Sequence, residues 1–202
     1  MTEVSINKQV KLSEHFTLGE LCKTGVKTAD GNIPSHVHIE NLKRVCEWLE
    51  ELRRRYNQQY VCENEERSVS PPELGGARGG LNEGMSGASS DHPAHTGTPP
   101  NLGGEINTDA PIIITSGYRS PELNKKVGGS PTSNHLTGCA VDIRVAGIEQ
   151  AMRYAVILMD YADESKQNYD EILIERNRRG GYWLHFAVRP KDNRRKTMFL
   201  QK

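Results

Sequence analysis

The sequence predicts an α+β domain, a largely antiparallel sheet with flanking helices. Three observations carry this: a helix-period segment over 37–56, an alternating strand over 139–145, and two strand-like runs after a second helix at 148–161. The elements follow in chain order. Thr17-Leu18-Gly19-Glu20 fits a capping box, in which the threonine and glutamate side chains satisfy backbone N–H groups reciprocally, so a short helix starts there. From Val37 to Tyr56, Ile39, Leu42, Val45, Cys46, Leu49 and Leu52 recur at i, i+3, i+4 and i+7, with Lys43, Arg44, Glu47, Glu50, Glu51 and Arg53 on a solvated outer face. Pro111 to Thr115 reads as a buried strand. Ser120-Pro121 supplies an N-cap and a first-turn proline for a short helix that Gly128-Gly129 ends. Cys139 to Val145 alternates, with Cys139, Val141, Ile143 and Val145 on one face and Ala140, Asp142 and Arg144 on the other. In the helix from Ile148 to Tyr161, Met152, Ala155, Val156 and Met159 are spaced to pack. Two closing strands are predicted over Glu171–Glu175 and Tyr182–Val188, and the tail from Arg189 to Lys202, with six Lys/Arg against one Asp, reads as solvated.

Composition bounds the class. The 202 residues suit one domain carrying an insertion, and 26 basic against 26 acidic residues leave no net field to grip nucleic acid or an anionic membrane. No apolar run approaches the ~20 residues of a membrane span. The opening Met1-Thr2-Glu3-Val4-Ser5-Ile6-Asn7 lacks a basic stretch followed by an apolar one, so cytoplasmic synthesis without a signal peptide is expected. Cys22, Cys46, Cys62 and Cys139 form no C-x-x-C pair and read as reduced thiols. Between Ser68 and Asn107 lie 9 of the 19 glycines, 5 of the 10 prolines and no aromatic residue. Such a segment buries too little apolar surface to offset its ordering entropy. It is read as a flexible insertion, 68–107, inside one domain formed by 1–67 and 108–202.

The chemistry concentrates in Ser133-Asn134-His135-Leu136-Thr137-Gly138-Cys139-Ala140-Val141-Asp142 and, downstream, Trp183-Leu184-His185. His135 precedes the alternating strand, Asp142 lies on its polar face, and His185 shares a strand face with Trp183 and Ala187. Two imidazoles, one carboxylate and an open fourth position have the composition of a catalytic zinc site. Taken singly, His135 reads as an ordinary loop histidine and His185 as a core histidine, and spacing alone does not decide between the readings. His92 and His95, inside the insertion, are not expected to be ligands.

The wider pattern, S-x-H-x-x-G-x-A-x-D followed by W-x-H, resembles the zinc D-Ala-D-Ala carboxypeptidases and their relatives. These include the L-alanyl-D-glutamate endopeptidases of phage lysins, D-Ala-D-Ala dipeptidases and the hedgehog signalling domain. Lys11-Leu12-Ser13-Glu14-His15-Phe16-Thr17-Leu18-Gly19-Glu20-Leu21 and Ser116-Gly117-Tyr118-Arg119-Ser120-Pro121-Glu122-Leu123-Asn124 resemble further landmarks of its short peptidoglycan peptidases. The likeness spans about residues 10–56 and 108–189.

The resemblance implies one zinc ion held by His135, Asp142 and His185, with water in the fourth position. It implies a glutamate base on the strand before W-x-H, here Glu175, with Glu171 on the same face in reserve. The connection Arg176-Asn177-Arg178-Arg179-Gly180-Gly181-Tyr182 is longer than the family's, and a one-residue slip there would turn Glu175 to the core. Arg119 is the implied polariser of the scissile carbonyl. Ser133, Tyr118 and Trp183 are the implied substrate contacts, Trp183 reading equally well as core, and Gly138 is expected to permit a tight turn under His135. The implied activity is zinc-dependent hydrolysis of peptidoglycan stem peptides at bonds involving D-amino acids; the route to the wall stays open, since release through a phage-made lesion fits a lysin while intracellular recycling would need no export. Carboxypeptidase, dipeptidase and endopeptidase action all stay open, as does oligomeric state. Two alternatives remain: a non-catalytic zinc-binding module, as in hedgehog domains, and a phage structural component.

Overall fold

The Thr17 capping box is present: the threonine hydroxyl accepts from the Glu20 N–H and the Glu20 carboxylate accepts from the Thr17 N–H, starting α1 (Leu18–Leu21). In this computed structural model the described residues are 7, 9–61 and 109–202. The insertion expected over 68–107, with His92 and His95, lies outside them, as does Cys62. Helix α2 (His36–Tyr56) continues through a wider turn over Asn57–Val61. Its apolar stripe points inward as the period requires, and Trp48 extends it by packing edge-on against Tyr161 and tilted against Phe186.

The remaining elements are β1 (Ile114–Ser116), α3 (Pro121–Lys126), a 3₁₀ turn (Asn134–Thr137), β2 (Ala140–Arg144), α4 (Ile148–Ser165), β3 (Glu171–Arg176), β4 (Tyr182–Ala187) and β5 (Lys196–Gln201). Ser120 caps α3 through its hydroxyl, which accepts from the Leu123 N–H. The strands form one sheet in the order β1-β2-β4-β3-β5. All neighbours are antiparallel except β3 and β5, so the fold is α+β with a mixed, mostly antiparallel sheet. Helix α2 packs on β2 and on α4, while α4 packs on β3 and β4. The core lies between these helices and one sheet face, where Val141, Ile143, Ile172, Leu184 and Phe186 are fully buried.

Three expectations are corrected. The strand expected over Pro111–Thr115 is shorter and shifted to Ile114–Ser116, an edge strand paired only with β2, and of the two isoleucines before it Ile112 is buried and Ile113 exposed. In α4 the buried face is Ala151, Tyr154, Ala155, Ile157, Leu158 and Ala162, leaving Met152 and Val156 exposed. This helix has more apolar positions than one stripe can bury, and its small alanines allow the closer approach. The tail is not simply solvated. Its second half is β5, parallel to β3 with Lys196 opposite Glu171 and Gln201 opposite Arg176. Arg189 and Arg194 both pair with the buried carboxylate of Asp170. A parallel partner is not joined by a tight turn, so no local hairpin signal marks it.

Among the described residues, Cys22, Cys46 and Cys139 are free and buried, and burial pushes the Cys22 and Cys46 thiols up to about 12. No helix among them is long and apolar enough to cross a membrane.

Candidate metal centre

Strand register builds the site. Asp142 on β2 stands opposite His185 on β4, so both side chains leave the same sheet face, and His185 Nδ1 lies 2.9 Å from Asp142 Oδ1. The third donor arrives from the 3₁₀ turn. Ser133 caps that turn by accepting from the His135 N–H, and Gly138 ends it at φ 71°. A Cβ at Gly138 would also meet the His38 carbonyl oxygen at 2.6 Å, so the turn under His135 needs glycine on both counts. His135 Nδ1 donates to the Gly117 carbonyl at 2.6 Å. A carbonyl can only accept, so this bond fixes the tautomer and aims the bare Nε2 at the other two donors. Gly117 is equally constrained, since a Cβ there would sit 2.1 Å from the Leu21 carbonyl oxygen.

His135 Nε2 lies 3.3 Å from both Asp142 Oδ1 and His185 Nδ1. With the 2.9 Å separation above, the three donors form a triangle with edges of 2.9, 3.3 and 3.3 Å. Bonds of ~2.0–2.1 Å in tetrahedral geometry put neighbouring donors ~3.3 Å apart, so the triangle matches one face of a zinc-sized tetrahedron. His135, Asp142 and His185 are thus a buried cluster that could hold one metal ion.

The electrostatics suit a cation. Burial disfavours the charged form of Asp142, yet His135 and His185 overcome this and hold its carboxyl well below the usual carboxylate range. Burial keeps His135 neutral, its pKa lowered despite Asp142. Burial also opposes charge on His185, but the hydrogen bond to Asp142 and the nearby Glu171 carboxylate raise it to about 9. The metal-free cluster therefore keeps a proton on His185 that a metal must displace.

Glu171 and Glu175 occupy different places. Both lie on the cluster's face of β3, since Glu175 pairs with Trp183 and Leu173 with His185. The long connection closes as a turn, with the Asn177 N–H donating to the Gly181 carbonyl, and introduces no slip. Glu171 addresses the outer nitrogen of His185, Nε2, at 3.6 Å, and also meets Asn134, Arg194 and Lys196. The contact with His185 comes first among the causes that lower Glu171 to about 2. Glu175 is 3% exposed, and its Oε2 accepts from Lys202 Nζ at 2.5 Å.

Arg119 reaches Asp142 from behind. Its Nη2 donates to Asp142 Oδ2 at 2.5 Å and its Nε to Ser116 Oγ at 2.8 Å, leaving Oδ1 for the cluster. An open cleft of about 830 Å³ lies over the site, and Ser133, Trp183, Arg119 and Glu175 are among its lining residues. Tyr118 is not: it is buried, stacks on His38 at 4.7 Å and gives its carbonyl to Asn32, so the structure places it in the core rather than at the cleft. Sequence reasoning missed Asn134, which bridges Asp170 and Glu171, and the cleft-lining cations Lys23, Arg194, Lys196 and Lys202. The basic tail was the signal for the last three.

Fold and site define an α+β domain with a buried two-histidine, one-carboxylate cluster fit for a metal ion. A family model described as Peptidase M15 matches residues 105–167, a span containing Arg119, Ser133, His135 and Asp142. The match supports the M15 zinc peptidases, and with them a hydrolase of metallopeptidase type. No curated protein matches the chain.

Proposed function

We propose that the protein is a zinc-dependent peptidase acting on peptidoglycan stem peptides at bonds involving D-amino acids. The observation that carries this reading is the donor triangle of His135, Asp142 and His185 at the floor of an open cleft, with the buried Glu175 carboxylate on the same sheet face. Zinc bound there supplies Lewis acidity, polarising a scissile carbonyl and acidifying a water. The chain's own residues do the rest. The Gly117 carbonyl and Glu171 orient the two imidazole rings, and Arg119 fixes which oxygen of Asp142 faces the metal. Glu175 takes a proton from the attacking water and returns it to the leaving amine. The Arg119 charge adds to the field that favours negative charge on the carbonyl oxygen. Ser133 and Trp183 contact the peptide, and Lys23, Arg194 and Lys196 along the cleft suit the carboxylates of stem peptides. Action on the cell wall, as by a lysin, is part of the same reading.

The test is mass spectrometry of muropeptides incubated with the zinc-loaded protein. Cleavage with zinc, none after chelation and recovery on adding zinc back are expected, and product masses identify the bond. Hydrolysis undiminished in excess EDTA would overturn the reading.

A further inference from the structure

The cleft holds an ion pair that the metal cluster does not require. Glu175 is nearly solvent-free, and a carboxylate in that state needs a partner to remain charged. Its partner is Lys202, whose Nζ lies 2.5 Å from Oε2 and 5.5 Å from the centre of the Trp183 ring. The backbone delivers this lysine. β5 runs parallel to β3 with Leu200 opposite Glu175, and the Lys202 N–H donates to the Arg176 carbonyl at 2.9 Å. The side chain turns back over Trp183, which faces Glu175 across the β3–β4 pair. Three strands therefore converge on one carboxylate, while the ligands are held independently by Gly117, Glu171 and Arg119.

The structure assigns Lys202 as the positioning residue of Glu175, an inference that rests on the peptidase reading. By occupying Oε2 it fixes the rotation of the carboxylate and leaves Oε1 as the oxygen that exchanges protons in the cleft. Oε1 gains a proton from the attacking water as its oxygen bonds to the carbonyl carbon, and gives that proton to the leaving amine nitrogen as the peptide C–N bond breaks, while Lys202 stays on Oε2. The sheet edge formed by β5 is thereby part of the site, through a residue that acts by holding the carboxylate.

The experiment compares wild type, K202M, K202R, E175Q and the K202M/E175Q double variant as zinc-loaded full chains. The substrate is a synthetic stem pentapeptide, L-Ala-γ-D-Glu-L-Lys-D-Ala-D-Ala, and unfolding midpoints are recorded without peptide. K202M should lower kcat about tenfold with KM changed less than about twofold. Zinc content should be unchanged, and K202R should restore most of kcat. In the E175Q background K202M should lower neither kcat nor midpoint by as much as it does in wild type, since the carboxylate charge and its proton exchange are already gone. An unchanged kcat in K202M, a loss confined to KM, no recovery in K202R, or additive effects in the double variant each overturn the assignment. If wild type leaves the pentapeptide intact with zinc bound, the peptidase reading fails separately, and the midpoints alone decide: coupling upholds the Lys202–Glu175 positioning and additivity overturns it.

Discussion

On the sheet face covered by α2 and α4, Val141, Ile143, Ile172, Leu184 and Phe186 make a continuous apolar layer. On the opposite face, the alternate residues of the same strands include Asp142, His185, Glu171 and Glu175, set among Ala140, Leu173 and Ala187. The first face is held by volume and area, terms that tolerate a change of apolar residue if the space stays filled. The second is held by donor geometry, where a displacement of one residue in register removes every partner at once. One backbone thus carries a forgiving face and an exacting one, and the forgiving face locks the register on which the exacting face depends.

Substitutions on the two faces should separate these roles. The largest effect is expected from His185→Ala, which removes one of three donors: hydrolysis falls more than about 10³-fold. Zinc content measured by mass spectrometry drops with it, while the far-ultraviolet circular dichroism stays native. Glu175→Gln comes next. If Glu175 carries the proton as proposed, its loss should cost about 10²–10⁴ in kcat, with zinc content unchanged, and a variant that keeps wild-type kcat would remove Glu175 from that proposed role. On the apolar face, Phe186→Ala should lower stability by about 3–5 kcal/mol in denaturant titrations. A smaller effect is expected from Glu171→Gln. It loosens the outer hold on His185 and should weaken zinc affinity by about 10–100-fold, leaving a zinc-saturated kcat much less affected than in Glu175→Gln.

The smallest effects are those of pH, and they sharpen the same contrast because only the polar face titrates. The folded-state pKa of Glu171, about 2, lies below its ordinary 4.5. Its stabilisation is therefore complete above about pH 4.5 and fades as pH falls toward about 2, and Glu171→Gln should flatten that part of the metal-free stability curve. His185 is shifted the other way, from 6.5 to about 9. Its contribution to metal-free stability is complete below about pH 6.5 and is lost as pH rises through about 9. Zinc competes with that proton, so apparent affinity should rise about tenfold per pH unit between pH 7 and 8, with about one proton released per ion in calorimetry across buffers.

Much of the apolar face was legible in the sequence. Leu42, Val45, Cys46, Leu49 and Leu52 follow the helix period, and the alternation through Cys139–Val145 separates Ile143 from Asp142, because both patterns are set by local backbone geometry. Thr17 and Ser120 were equally readable, since a cap bonds within three residues. Helix α4 was readable as a helix but not in its orientation, as Met152 and Val156 show. A run with apolar residues on more than one side leaves the choice of buried stripe to whatever packs against it.

For the site, sequence determined the candidates and part of their pairing: His135, Asp142 and His185 as donors, and Glu175 on their side of the sheet. These follow from residue type, strand parity and resemblance. Tertiary structure alone decided the rest. It set the donor triangle, gave Glu171 to the outer nitrogen of His185, withdrew Tyr118 into the core, and turned a basic tail into β5 with Lys202 on Glu175. Each of these joins residues distant in the chain, where register and helix packing, rather than local preference, determine which groups meet.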